Sequence, residues 1–178
     1  MIVINLFGAP GAGKSTGAAY IFSELKLAGV NAELVTEFAK DKVWEDSKGV
    51  FKSQPYIFGK QNFRLERLRE KVDVVVTDSP IFLSILYNNQ KEFKYFEPFV
   101  KEVFDSNNNH NYFVNRVKPY NPKGRFQTSD ESDEIAKELT DLLKDWDIDF
   151  VAIEGNKEGY NKIVSEIIEE LKTNEDQS

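Results

Sequence analysis

The sequence predicts an α/β fold of three layers, a five-stranded parallel sheet between helices, and three observations lead to it. Apolar runs of strand length alternate with segments of helical periodicity along nearly the whole chain, the order that builds parallel sheets. The run VDVVVT at 72–77 is almost unbroken valine, as suits a central strand covered on both faces. The first apolar run leads through the glycine-rich GAPGAGKS at 8–15 into a helical segment, which is the strand, loop and helix order of a P-loop.

In chain order, strands are expected at 2–7, 32–36, 72–77, 111–117 and 149–153. Helices are expected at 15–28, 54–71, 81–88, 93–106, 130–146 and 159–172. A chain of 178 residues suits one domain with a full core. Residues 1–172 are therefore taken as a single P-loop domain, and the polar residues 173–178 as a flexible tail that frays. No apolar run approaches the roughly 18 residues of a membrane span. The apolar start holds the P-loop strand and does not read as a signal peptide, so a soluble, cytoplasmic protein is expected. The absence of cysteine excludes disulfides, thiolate zinc sites and a cysteine nucleophile, and the single His110 leaves no histidine cluster for a metal. A net charge of −7 argues against a surface built for duplex DNA. The aromatic residues of 93–104 recur at helical spacing and are read, like Trp146, as core.

The P-loop carries the strongest chemistry. Gly8, Gly13, Lys14 and Ser15 fit G-x-x-x-x-G-K-[ST], with Ala9, Pro10, Gly11 and Ala12 between the glycines and Thr16 after them. In such a loop the backbone amides surround the nucleotide phosphates, the lysine reaches the β- and γ-oxygens, and the hydroxyl binds Mg²⁺. The helix that follows directs its dipole and unpaired amides at the same anion. ATP and Mg²⁺ are the expected cofactors, and 8–16 the expected nucleotide-binding residues.

Ligands of open parallel sheets bind outside the carboxyl ends of the strands, so acidic residues at those ends stand out. Asp78 closes the third strand in the Walker B manner, as a residue of the Mg²⁺ shell together with Ser15; the alternative is a helix cap before Pro80. Glu37 closes the second strand, with Asp41, Glu45 and Asp46 close by as substitutes. Transfer of a phosphoryl group to an alcohol needs a carboxylate to accept the hydroxyl proton, and Glu37 is the candidate. A phosphate acceptor would instead need clamping arginines; Arg64, Arg67 and Arg69 are candidates for that, against a solvated basic face. Phe38 and Trp44 follow the second strand where an acceptor base could lie.

The stretch RVKPYNPKGR at 116–125 sets Arg116, Lys118, Lys123 and Arg125 among prolines and a glycine that forbid a plain helix. It reads as a cationic lid loop whose Arg116 and Arg125 join Lys14 in neutralising charge on a migrating phosphoryl group. Thr128 or Ser129 then caps the next helix.

These motifs together resemble the small P-loop kinases of nucleosides and nucleotides. GAPGAGKS is similar to their phosphate loop, Glu37 to the carboxylate that deoxynucleoside kinases carry after the second strand, TDSP to their third-strand end, and RVKPYNPKGR to a lid. EGNKEGY at 154–160 lies where that family packs the donor base, which implies Gly155 and Asn156 as donor contacts. RVKPYNPKGRFQ is further similar to a motif of bacteriophage-encoded P-loop kinases, one group of which resembles enzymes phosphorylating 5-hydroxymethyluracil in phage DNA. The chain departs from deoxynucleoside kinases at Ser79, where those usually have an arginine. The resemblance implies an ATP- and Mg²⁺-dependent kinase acting on a hydroxyl of a nucleoside, nucleotide or 5-hydroxymethyl-pyrimidine, with DNA among the acceptors. The alternative is a nucleotide-gated ATPase switch acting on a protein partner. The N-K-x-D signature of GTPases is absent, and only GNKEG echoes it.

Overall fold

The computed structural model describes residues 1–88, 93–120 and 128–175. Its parallel strands are β1 (Ile2–Phe7), β2 (Ala32–Val35), β3 (Val74–Thr77), β4 (Asn108–Asn115) and β5 (Val151–Glu154), in the spatial order β2-β3-β1-β4-β5. The helices are α1 (Lys14–Leu27), α2 (Phe38–Trp44), α3 (Gln54–Glu66), α4 (Leu83–Leu86), α5 (Phe96–Asp105), α6 (Ser129–Asp145) and α7 (Lys157–Glu175), with a 3-10 turn at Lys48–Lys52. The expected α/β architecture with a five-stranded parallel sheet is the observed one.

Strand alternation distributes β1 between two cores. Ile2, Ile4 and Leu6 pack with Ile21 and Leu25 of α1 and with Ile163 and Ile167 of α7. Phe7 packs on the other face with Phe82, Phe104 of α5, and Leu139 and Leu143 of α6. Val3 meets Val35, Leu65 and Val75. Three layers result, as side chains of period two on a central strand require.

Several boundaries differ from expectation for identifiable reasons. β4 begins at Asn108, earlier than 111, because its polar start is satisfied inside the sheet. The Asn5 amide donates to the side-chain oxygens of Asn109 at 2.8 Å and Asn111 at 3.0 Å. α3 stops at Glu66, and the following turns reach Glu70 at φ 62°, a left-handed conformation that ends helices. α2 was not expected; seven residues are too short to show periodicity. α7 runs to Glu175, into the segment set aside as a tail, and 176–178 lie outside the described residues. The helix after the lid starts with a capping box, in which the Thr128 side chain accepts from the Glu131 amide and Glu131 accepts from the Thr128 amide.

α5 is amphipathic, with Phe96, Val100 and Phe104 buried while Tyr95 and Phe99 remain exposed. Its core reading therefore holds for one face only. Trp146 lies edge-on to Phe82 at 6.2 Å, on the core. Among the described residues no helix is long and apolar enough to cross a membrane.

Candidate active site

β1 delivers the chain to the P-loop at the carboxyl edge of the sheet. Gly8, Gly11 and Gly13 take φ values of 140°, 83° and 106°, left-handed conformations that a side chain would strain. The loop is braced from two helices. The fully buried Ser132 of α6 donates to the Pro10 carbonyl at 2.8 Å, and the Tyr160 hydroxyl of α7 donates to the Gly13 carbonyl at 3.1 Å. The Lys14 ammonium reaches back to the carbonyls of Gly8 at 2.7 Å and Ala9 at 3.1 Å, which sets it over the loop.

Two cavities flank this loop, and the strand order explains their places. β2 and β3 lie to one side of β1, β4 and β5 to the other. On the β2–β3 side a cavity of about 330 Å³ is walled by Ser15, Thr36, Glu37, Lys40, Asp41, Trp44 and Asp78. On the other side a cavity of about 470 Å³ is walled by Gly11, Ala12, Gly13, Thr16, Tyr20, Lys118, Pro119, Gly155, Asn156 and Tyr160. The sequence candidates thus separate into two groups. Ser15, Glu37 and Asp78 share the first wall; Gly155 and Asn156 share the second with the P-loop glycines.

The first cavity is electrostatically unusual. Burial pushes the Glu37 carboxyl above the ordinary glutamate range; Lys14 opposes the shift, Asp78 adds to it, and Lys40 and Asp41 contribute in opposite senses. Asp78 is only 6% exposed, and its Oδ1 is buried without a hydrogen-bond partner among the described residues. A buried carboxylate oxygen of that kind lacks compensation that a cation supplies. With the Ser15 hydroxyl in the same wall, the donors are oxygens, the set that Mg²⁺ prefers. The residues fit the ion. The helix-cap alternative for Asp78 gains no support, because the next helix starts after Phe82 and Asp78 Oδ1 has no hydrogen-bond partner among the described residues.

Sequence reasoning did not single out Tyr87, whose hydroxyl is pushed up to about 12 by burial, with Glu37 and Glu138 adding. It also missed Ser132 and Tyr160, whose partners are more than 100 residues away in the chain. No local pattern marks such braces. Trp44 is 73% exposed where it walls the cavity, while Phe38 is buried.

The cationic segment divides. Lys118 walls the second cavity, but Arg116 walls neither: it pairs with Asp133 at 2.6 Å, donates to Ser132 Oγ at 3.4 Å and lies over the Tyr120 ring at 5.5 Å. Arg125 and Lys123 lie outside the described residues, and with them most of the expected lid. The arginine clamp separates as well. Arg64 turns to Thr36 and Asp41, Arg69 pairs with Glu66 at 2.7 Å, and Arg67 is exposed.

Gly155 allows the β5–α7 turn to close on the P-loop. A Cβ there would lie 2.3 Å from the Ala12 carbonyl oxygen and 2.8 Å from that of Asn115. Both are backbone atoms, so the turn must withdraw. Gly155→Ala is expected to cost about 1–3 kcal/mol of stability and to weaken nucleotide binding. Thermal unfolding and calorimetric titration with ATP check both; unchanged values in the two would refute the contact.

A family model described as an AAA domain matches residues 3–159. No curated protein matches significantly. Among solved structures, the chain is similar to a deoxyadenosine kinase from M. mycoides with bound dATP, at 17% identity and TM-score 0.60, over 96% of this chain and 99% of that one. The same enzyme with products dCMP and a flexible dCDP gives 19% identity and TM-score 0.51, again over 96% and 99%. The YorR protein of Bacillus subtilis, in complex with phosphorylated GDP, gives 14% and 0.57 over 97% of both chains. At these identities the likeness speaks to fold, and the fold is that of P-loop nucleotide kinases, with strand order 2-3-1-4-5.

Proposed function

The chain belongs to the AAA-domain family, and from that premise we propose that it is a phosphotransferase moving the γ-phosphoryl group of ATP to an acceptor hydroxyl. One observation carries the reading: Glu37, Asp78 and Ser15 converge on one cavity beside the P-loop, away from the cavity walled by Gly155 and Asn156. A donor nucleotide in the latter, with its phosphates on the loop amides and Lys14, directs its γ-phosphoryl group towards the former. Ser15 and Asp78 would hold Mg²⁺, which when bound shields the phosphate charge. Glu37 takes the proton of the attacking hydroxyl, and its raised affinity for a proton suits that exchange. Lys14 stays beside the transferring group as its charge redistributes, and Arg125 of the lid segment adds to it.

The acceptor is a nucleoside, a nucleotide or a 5-hydroxymethyl-pyrimidine, the base of phage DNA included. Trp44 supports this class, since its exposed ring in the cavity wall offers a stacking surface to a planar base. The neighbouring structures favour it too, since one is named as a deoxyadenosine kinase.

The test uses γ-labelled ATP with Mg²⁺ and a panel of deoxynucleosides, their monophosphates and DNA containing 5-hydroxymethyluracil. Label on one member of the panel is the expected outcome. Label released only as inorganic phosphate, at a rate that no acceptor changes, would replace the kinase with an ATPase switch.

A further inference from the structure

Glu37 occupies the N-cap position of α2, whose side chain ordinarily accepts a hydrogen bond from an amide of the first turn. Here it makes no such bond. The first amide of the helix is satisfied from elsewhere: Phe38 N–H donates to the side-chain oxygen of Gln61, at 2.8 Å, from α3. The other end of the same amide group donates to the Thr36 carbonyl at 3.3 Å. Gln61 therefore grips the peptide groups on both sides of Glu37. It is itself 4% exposed, and so held by packing.

One turn along α3, Arg64 reinforces the grip. It donates to the Thr36 carbonyl at 3.0 Å and the Thr36 hydroxyl at 3.3 Å, pairs with Asp41, and lies over the Phe38 ring at 5.4 Å. A buried side-chain amide satisfied by two backbone groups is a rigid arrangement. Its effect is to fix the backbone on either side of Glu37.

We infer that Gln61, backed by Arg64, is a positioning residue: by holding the peptide groups on both sides of Glu37, it aims the Glu37 carboxylate into the cavity it shares with Ser15 and Asp78. The inference rests on the reading of Glu37 as the base. Without Gln61, the Phe38 amide loses this partner and the turn after β2 is free to shift, carrying Glu37 away from the acceptor hydroxyl.

The experiment substitutes Gln61→Met, which keeps the length and the buried volume but removes both hydrogen bonds. Turnover is followed with γ-labelled MgATP and a mixture of the four deoxynucleosides, their 5′-monophosphates and DNA containing 5-hydroxymethyluracil. Turnover should fall about 10- to 100-fold, as for a small misplacement of a reacting group, with the KM for ATP unchanged. In a Glu37→Gln background the same substitution should add no further loss. A folded Gln61→Met protein with wild-type turnover, or losses that multiply in the double variant, would overturn the inference while leaving Glu37 as the base. Normal turnover of Glu37→Gln alone would remove the base and the inference together. Should Gln61→Met fail to fold, hydrogen exchange of the wild-type protein decides: slow exchange of the Phe38 amide is expected, and exchange as fast as in an exposed loop contradicts the contact.

Discussion

Lys14→Ala is expected to lower turnover by about 10³-fold, roughly 4 kcal/mol of transition-state stabilisation. The size follows from location. The ammonium is fixed over the loop by the carbonyls of Gly8 and Ala9, so no reorganisation is needed when charge develops on the transferring group. A cation already in place acts more strongly there than one recruited from water. The fold should survive, because Lys14 is only half-buried and belongs to none of the hydrophobic cores. Steady-state kinetics beside a thermal melt check both halves. Turnover above about a tenth of wild type, a loss below ~1.4 kcal/mol, would show that the loop has no part in catalysis.

Glu37→Gln should cost about 10²- to 10⁴-fold in turnover, the range of general-base contributions, with ATP affinity unchanged. A matching loss of ATP binding would instead move Glu37 into the metal shell. The pH dependence gives a second check. The carboxyl is raised from its ordinary value of 4.5 by burial first and by Asp78 in addition, against Lys14. A base works only when deprotonated, so activity falls as pH drops through the raised pKa. The acid limb of kcat/KM therefore lies at higher pH than for an ordinary glutamate. Stability carries the opposite sign. A carboxyl whose folded pKa exceeds its unfolded one favours the folded state when protonated, and that contribution is lost as pH rises through the folded pKa. Glu37→Gln, neutral at every pH, should therefore melt higher than wild type wherever Glu37 is ionised. A group kept at a cost to stability is what an active-site carboxylate is expected to be.

The P-loop was legible because its chemistry is local: glycines, lysine and hydroxyl sit within eight residues, between a β-branched strand and a helix. Asp78 and Glu37 were legible by rule, since parallel sheets present ligands to their carboxyl edges, and both wall the same cavity. What could not be read depends on partners distant in sequence. Gln61 is an ordinary helical glutamine until α3 lies against the turn after β2, where it meets Thr36 and Phe38. Arg64 invited reading as a phosphate clamp, because a guanidinium's spacing on a helix does not reveal that a backbone carbonyl and Asp41 will engage it. The start of β4 was hidden for a related reason. Asparagines score as loop residues, and only pairing with Asn5 makes Asn109 and Asn111 suitable for the sheet. Arg116 shows the limit of counting charges: Asp133, seventeen residues on, neutralises it.

The account stands on an acceptor that is a hydroxyl, activated by Glu37, and the bond formed in the product tests this most directly. Phosphorus-31 NMR of the purified product separates the cases whichever acceptor is used. A phosphate monoester, whose new phosphorus shows coupling to protons of the acceptor carbon and none to another phosphorus, is the result expected. A phosphoanhydride, recognised by phosphorus–phosphorus coupling, would mean that the acceptor is itself a phosphate, needs no base, and leaves Glu37 without the role assigned to it.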